Sequence, residues 1–300
     1  MILGFGFSLI CPKLFSQNSS QTVYLTVLGT VQDGGAPHLG CLKSCCVRLS
    51  VKEQMERKVT ALAVIQPDID FTILFEATPD IIHQWSLLPT APKAIFLTHA
   101  HMGHYTGLMH LGREALGAKG LPVYVLPKMK SFLINNGPWS QLIQLKNILL
   151  FDLNQGQPVS DLGAIQVTPI LVPHRDEFSE TAGYKIKGPH KSALFIPDID
   201  KWTKWKWDLE QIISEVDFAF IDATFFDAAE INYRPIAEIP HPLVKETVEQ
   251  LRESPPTLKN KIYFIHMNHT NPMLDPKSDA SKWVLKQGFH IARKGQKFNL

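Results

Sequence analysis

From Thr22 onward the chain alternates short apolar runs, rich in β-branched and aromatic residues, with longer stretches in which apolar positions recur at helical spacing. The short runs predict strands at 23–29, 60–66, 71–76, 94–98, 122–126, 147–151, 165–171, 182–186, 193–197, 217–222 and 261–266. The longer stretches predict helices at 79–87, 105–116, 128–135, 207–215, 242–253 and 277–286. Runs such as Ile73-Leu74-Phe75 and Ala94-Ile95-Phe96-Leu97 are apolar at every position, so their strands should be covered on both faces. Two sheets with helices outside satisfy that requirement, which places the protein in the α/β class. No repeat of fixed period and no Gly, Ser or Pro linker divides the chain, so 21–300 is expected to form one domain.

Composition changes this picture little. Lys and Arg number 30 against 28 Asp and Glu, and the net charge of +2 supplies no broad basic field for nucleic acid or anionic membrane. A small-molecule substrate is expected instead. The cluster Lys201-Trp202-Thr203-Lys204-Trp205-Lys206-Trp207 reads as a helix entry with half-buried aromatics rather than a base-stacking platform. Segment 1–20 holds an apolar run followed by polar residues, like a secretory signal without its cationic start. It is either an export signal or a tail before the first strand of a cytoplasmic protein. No other segment is apolar for long enough to span a bilayer, so a soluble mature protein is expected.

The chemistry concentrates at strand ends. His99, His101 and His104 follow the strand 94–98 at i, i+2 and i+5, a spacing from which imidazoles can converge on one cation. His174, Asp198 and His266 each stand where another apolar strand gives out. Imidazoles with a carboxylate suit Zn²⁺, Mn²⁺ or Fe²⁺. Three of the four cysteines, Cys41, Cys45 and Cys46, fall within six residues after a glycine-rich turn, too tight for ordinary disulfides and suited to tetrahedral zinc. His269, three residues beyond His266, could close that tetrahedron in an N-terminal zinc knuckle.

The order HxHxxH, His, Asp, His resembles the signature of the metallo-β-lactamase superfamily, over a span from about Thr22 to the end. The resemblance implies an αβ/βα four-layer sandwich of two mixed sheets with helices on the outer faces. It further implies that His99, His101 and His174 hold a first metal, His104 and His266 a second, and that Asp198 bridges them. One position departs: the usual signature is HxHxDH, and Gly103 stands at the aspartate, so one or two active-site metals are both compatible with the sequence.

Two branches are similar in particular, the phosphodiesterase of the carbon–phosphorus lyase pathway and the pyrroloquinoline quinone biosynthesis protein B. The cysteine spacing here is CxxxCC where the phosphodiesterase has CxCxxC, with Lys43 at the middle cysteine's place. The phrases Ala77-Thr78-Pro79-Asp80-Ile81, Phe220-Ile221-Asp222-Ala223-Thr224-Phe225-Phe226 and Phe264-Ile265-His266-Met267-Asn268-His269-Thr270-Asn271-Pro272-Met273-Leu274 favour the quinone-biosynthesis branch.

The expected activity is hydrolysis of a phosphodiester, lactone or related ester by metal-bound hydroxide. The position of His241 matches the phosphodiesterase's general acid. Asp222 is expected to hydrogen-bond a ligand histidine. Asp200 competes with Asp198 as a ligand, and Glu76 and Asp80 either support the site or, for Asp80, cap the helix 79–87. The alternatives are a metal-dependent oxidative step in quinone-cofactor synthesis and a carrier that keeps the fold without turnover, which Gly103 keeps open.

Overall fold

The all-apolar runs become strands whose side chains divide, by alternation, between two cores. In β3 (Phe71–Phe75) Ile73 and Phe75 face one core and Leu74 the other, and in β10 (Ser192–Ile196) Ala193 and Phe195 part in the same way from Leu194 and Ile196. A computed structural model describes residues 22–231 and 235–300; the signal-like segment 1–20, with Cys11, lies outside the described residues.

The first sheet has the order β14-β1-β2-β3-β4-β5-β6. Its strands are β1 (Tyr24–Gly29), β2 (Ala61–Gln66), β3, β4 (Ala94–Phe96), β5 (Leu121–Val125), β6 (Ile148–Asp152) and β14 (Lys297–Asn299). The second has the order β13-β12-β11-β10-β9-β8-β7. It comprises β7 (Val159–Leu162), β8 (Ile165–Val172), β9 (Thr181–Lys187), β10, β11 (Phe218–Asp222), β12 (Ile262–Ile265) and β13 (His290–Ile291).

Between the sheets lie Phe75, Phe96, Tyr184, Phe195 and Phe220, all fully buried. Helices Ile81–Ser86, Pro127–Asn135 and Trp139–Gln144 cover the outer face of the first sheet, and Leu209–Ser214, Val244–Gln250 and Asp279–Lys286 that of the second. The result is the expected four-layer αβ/βα sandwich.

Every predicted strand is present to within a few residues at its ends. The helix expected at 105–116 differs: an α-turn at Met102–Tyr105 passes into a 3-10 turn at Thr106–Leu111. At Gly107 the turn packs against the 77–78 backbone, where a Cβ would come 2.1 Å from the carbonyl oxygen of Thr78, and the Gly107 amide donates to Ala77 O at 2.8 Å instead of to the carbonyl four residues back, which interrupts the α-helical ladder. Trp202 and Trp205 are buried rather than half-buried, donating through their indole N–H groups to Thr247 Oγ1 and Leu171 O.

Candidate metal centre

Strand direction gathers the site. β1, β3 and β4 run the same way in the first sheet, because β2 is antiparallel to both β1 and β3, and β3 is parallel to β4. β8, β10, β11 and β12 likewise share a direction in the second. The carboxyl ends of these strands deliver Asp33, Glu76, His99, His174, Asp198, Asp222 and His266 to one edge of the sandwich.

His99, His101, His174 and Asp198 form the first group. His99 Nε2 lies 2.8 Å from His101 Nδ1, which lies 3.2 Å from His174 Nε2; Asp198 Oδ2 is 3.4 Å from His99 Nε2 and 3.3 Å from His174 Nε2. Tetrahedral ligation at about 2 Å separates donor atoms by about 3.3 Å, so these spacings suit one shared ion. The opposite nitrogen of each ring has its own oxygen: Thr98 Oγ1 at 2.8 Å from His99 Nδ1, Glu177 Oε2 at 3.1 Å from His101 Nε2, and Asp200 Oδ1 at 3.3 Å from His174 Nδ1. A ring that keeps its proton on the outer nitrogen directs a lone pair inward. Asp200 therefore stands behind His174 rather than replacing Asp198, and it also accepts from Lys204.

A second group shares Asp198. His104 Nε2 and His266 Nε2 lie 3.8 and 4.0 Å from Asp198 Oδ2, and both face Asp33 Oδ1, at 2.9 and 3.1 Å. Glu76, fully buried, accepts from His104 Nδ1 at 3.1 Å and from the Thr98 amide, while Thr224 Oγ1 is 3.0 Å from His266 Nδ1. Glu76 and His266 hold φ of 77° and 67°, a left-handed backbone that only a well-packed surround sustains for such residues. Sequence reasoning missed Asp33, which sits in Gln32-Asp33-Gly34-Gly35 and reads locally as a turn.

His241, almost fully buried, places Nδ1 2.9 Å from Asp222 Oδ2 and 3.1 Å from Asp198 Oδ1. Asp222 thus holds His241 rather than a histidine of either group, and its other oxygen accepts from the amide and hydroxyl of Thr224. Asp80 does not cap its helix either: it accepts from the Val59 amide and pairs with Lys58.

Charge follows geometry. Burial would push the Asp198 carboxyl up, yet His174, His241 and His266 hold it well below the usual range; Asp33 is held down in the same way by His104 and His266. Burial keeps His99 well below its ordinary value, aided by the neighbouring His104. Burial opposes charge on His241 as well, but Asp222 and Asp198 raise it to about 10. Anionic oxygens beside inward-facing lone pairs make a donor set that a divalent cation completes.

Cys41, Cys45, Cys46 and His269 form a separate group whose donor atoms lie within 4.8 Å of one another. The Sγ atoms of Cys41 and Cys46 are 4.0 and 3.9 Å from Cys45 Sγ, close to the separation of about 3.8 Å expected of thiolates on one tetrahedral zinc. Burial and then the adjacent Cys46 push the Cys45 thiol up to about 12, so the thiolate needed for ligation would form there only with a cation to stabilise it. Burial and His38, stacked on its ring at 4.4 Å, lower His269 to about 4, so its imidazole is neutral and able to ligate at neutral pH.

The chain belongs to the beta-lactamase superfamily: the profile of the beta-lactamase superfamily domain matches residues 72–267. It is similar to the coenzyme PQQ synthesis protein B of Nitrosococcus oceani, 24% identical over 90% of this chain and 97% of that protein. Its fold matches the crystal structure of Zn²⁺-bound PqqB from Methylobacterium extorquens with a TM-score of 0.76 at 20% identity, covering 92% of this chain and 100% of that one. A diphosphatase from the PhnP family matches at 0.63 and 21% identity, covering 93% and 97%. Among the described residues no helix is long and apolar enough to cross a membrane.

Proposed function

We propose that the protein is a metal-dependent hydrolase of a phosphodiester, lactone or related ester, with two neighbouring metal positions that share Asp198. The observation that carries this is the convergence of six imidazoles, those of His99, His101, His104, His174, His241 and His266, around one buried carboxylate, Asp198. His99, His101 and His174 serve the first position, His104 and His266 the second, and Zn²⁺, Mn²⁺ and Fe²⁺ all suit the donors. A divalent ion there supplies an activated water and polarises the bond under attack.

The chain's own residues do the rest. Thr98, Glu177 and Asp200 fix the rings of the first position, and Glu76 and Thr224 those of the second. Asp222 and Asp198 favour the imidazolium form of His241, with Nδ1–H held by Asp222, so that the proton on Nε2 is the one given to the departing alkoxide, leaving the neutral ring. An open groove of about 460 Å³, lined by Lys128, Phe132, Glu177 and Phe178, adjoins the first position through the Glu177–His101 contact and offers a cation and aromatic faces to a substrate. Likeness to a diphosphatase supports a phosphoester among the candidate substrates.

The test is elemental analysis of the purified protein, coupled to hydrolysis of a chromogenic phosphodiester and a lactone before and after chelation. Bound metal, with activity lost to chelator and restored by metal, is the expected result; a metal-free wild type overturns the proposal. The similarity to coenzyme PQQ synthesis proteins along nearly the whole chain favours a second reading, an oxidative step on a quinone precursor. Oxygen consumption by the Fe²⁺-loaded protein, without hydrolysis, would select it, and bound metal with neither activity would indicate a carrier.

A further inference from the structure

The superfamily signature leaves residue 103 without a carboxylate, and the structure shows what stands there instead. A Cβ built on Gly103 would come 2.5 Å from Asp33 Cα and 2.7 Å from both its Cβ and its Cγ. No side chain can leave residue 103 while Asp33 is in place, because the Asp33 backbone and carboxyl carbon fill the path it would take. That same carboxyl carries Oδ1 to 2.9 Å from His104 Nε2 and 3.1 Å from His266 Nε2.

The position of Asp33 is built rather than incidental. Val31 bridges in parallel to both Val59 and Met267, tying the end of β1 to the first sheet and to the segment after β12. The Gln32 amide donates to Met267 O at 2.9 Å and the Met267 amide to Thr30 O at 2.8 Å, so the backbone flanking His266 and the backbone flanking Asp33 are hydrogen-bonded together.

We propose that Asp33 is the missing carboxylate ligand of the second metal position, supplied from the β1 loop in place of residue 103, and that the absence of a side chain at Gly103 is the room it requires. With it the second position has two imidazoles and two carboxylates, His104, His266, Asp33 and the shared Asp198, a full tetrahedral set for a divalent cation. This rests on the metal-dependent function above.

The test compares wild type with Asp33→Asn, Asp33→Gly, Gly103→Asp and the double variant Asp33→Gly with Gly103→Asp. The readouts are metal equivalents per chain by elemental analysis and Zn²⁺ affinity of the chelator-stripped protein by competition titration. Asp33→Asn and Asp33→Gly are expected to lose the second active-site ion, with affinity weakened at least ~10-fold, since even outer contacts of a ligand carry that much. Gly103→Asp alone should lower the melting temperature by collision with Asp33. The double variant should regain both the ion and the stability.

Asp33→Asn, which preserves shape, keeps the test valid if the glycine variant folds poorly. Unchanged second-site affinity in Asp33→Asn overturns the ligand role, and a double variant as weak as Asp33→Gly overturns the equivalence of the two positions. A wild type that binds no metal removes the proposed function itself, a different outcome from full occupancy in Asp33→Asn.

Discussion

Asp198 is 2% exposed and has imidazoles on several sides, and an ionised carboxylate so placed loses several kcal/mol of hydration that must be replaced locally. His241 supplies part of that replacement through its charge, since its Nδ1 hydrogen-bonds Asp222 Oδ2 and lies 3.1 Å from Asp198 Oδ1. The arrangement separates two roles for His241, proton donor and counter-charge, and a leaving-group series distinguishes them. His241→Ala is expected to slow hydrolysis of esters with poor leaving groups by ~10²-fold or more, the usual worth of a positioned acid, and to spare those with good ones. Equal slowing across the series would mean that His241 acts only by holding Asp198. At this scale the sequence was most readable where the residue type itself is rare at a strand end, as at His99, His174 and Asp198. It was least readable at Asp33, 71 positions from His104 and 233 from His266, where nothing local separates a turn aspartate from a ligand.

Two loops carry donors for two sites at once. The segment from Val31 to Val47 presents Asp33 and then Cys41, Cys45 and Cys46; the turn after β12 presents His266 and then His269. An ion held by the cysteines and His269 would therefore clamp together the two segments that meet at the second active-site position, while the first position draws on β4, β8 and β10. Cys41→Ser is expected to cost the structural ion and, through it, to weaken the second active-site ion at least ~10-fold, leaving the first in place. Metal counting with competition titration checks this, and a Cys41→Ser protein that loses one ion only, with both active-site affinities intact, would show the loops to be independent. Strands were legible here because β-branched and aromatic runs carry their own period. The form of the helix after His101 was not, because the Gly107 amide bonds to Ala77 O, a partner 30 residues away, and breaks the regular ladder.

The two sheets meet through aromatic side chains, and the C-terminal strand closes one side of the sandwich. Phe298 of β14 sets its ring 5.0 Å from Phe218, 5.1 Å from Phe220 and 4.8 Å from Tyr263, joining the edge of the first sheet to the second. Phe218 lies at the start of β11, at the opposite end of that strand from Asp222. Phe298→Ala should therefore destabilise the fold by ~3–5 kcal/mol, the usual cost of emptying a buried aromatic site, without altering the metal content of the folded protein. Urea unfolding and elemental analysis together check it; an unchanged urea midpoint would mean that the strand is dispensable.

β14, β13 and β7 escaped the sequence pattern because they are short edge strands, whose pairing is decided by neighbours rather than by a run of their own. By itself the sequence determined the α/β class, the two-sided burial of the central strands and the histidines and aspartate at their ends, because each is a local signal of composition and period. Only the tertiary structure decided which strand ends face one another, that Glu76 supports His104 while Asp222 supports His241, and that the room left by Gly103 is filled by Asp33. Those are contacts between segments far apart in the chain, selected by sheet order and close packing.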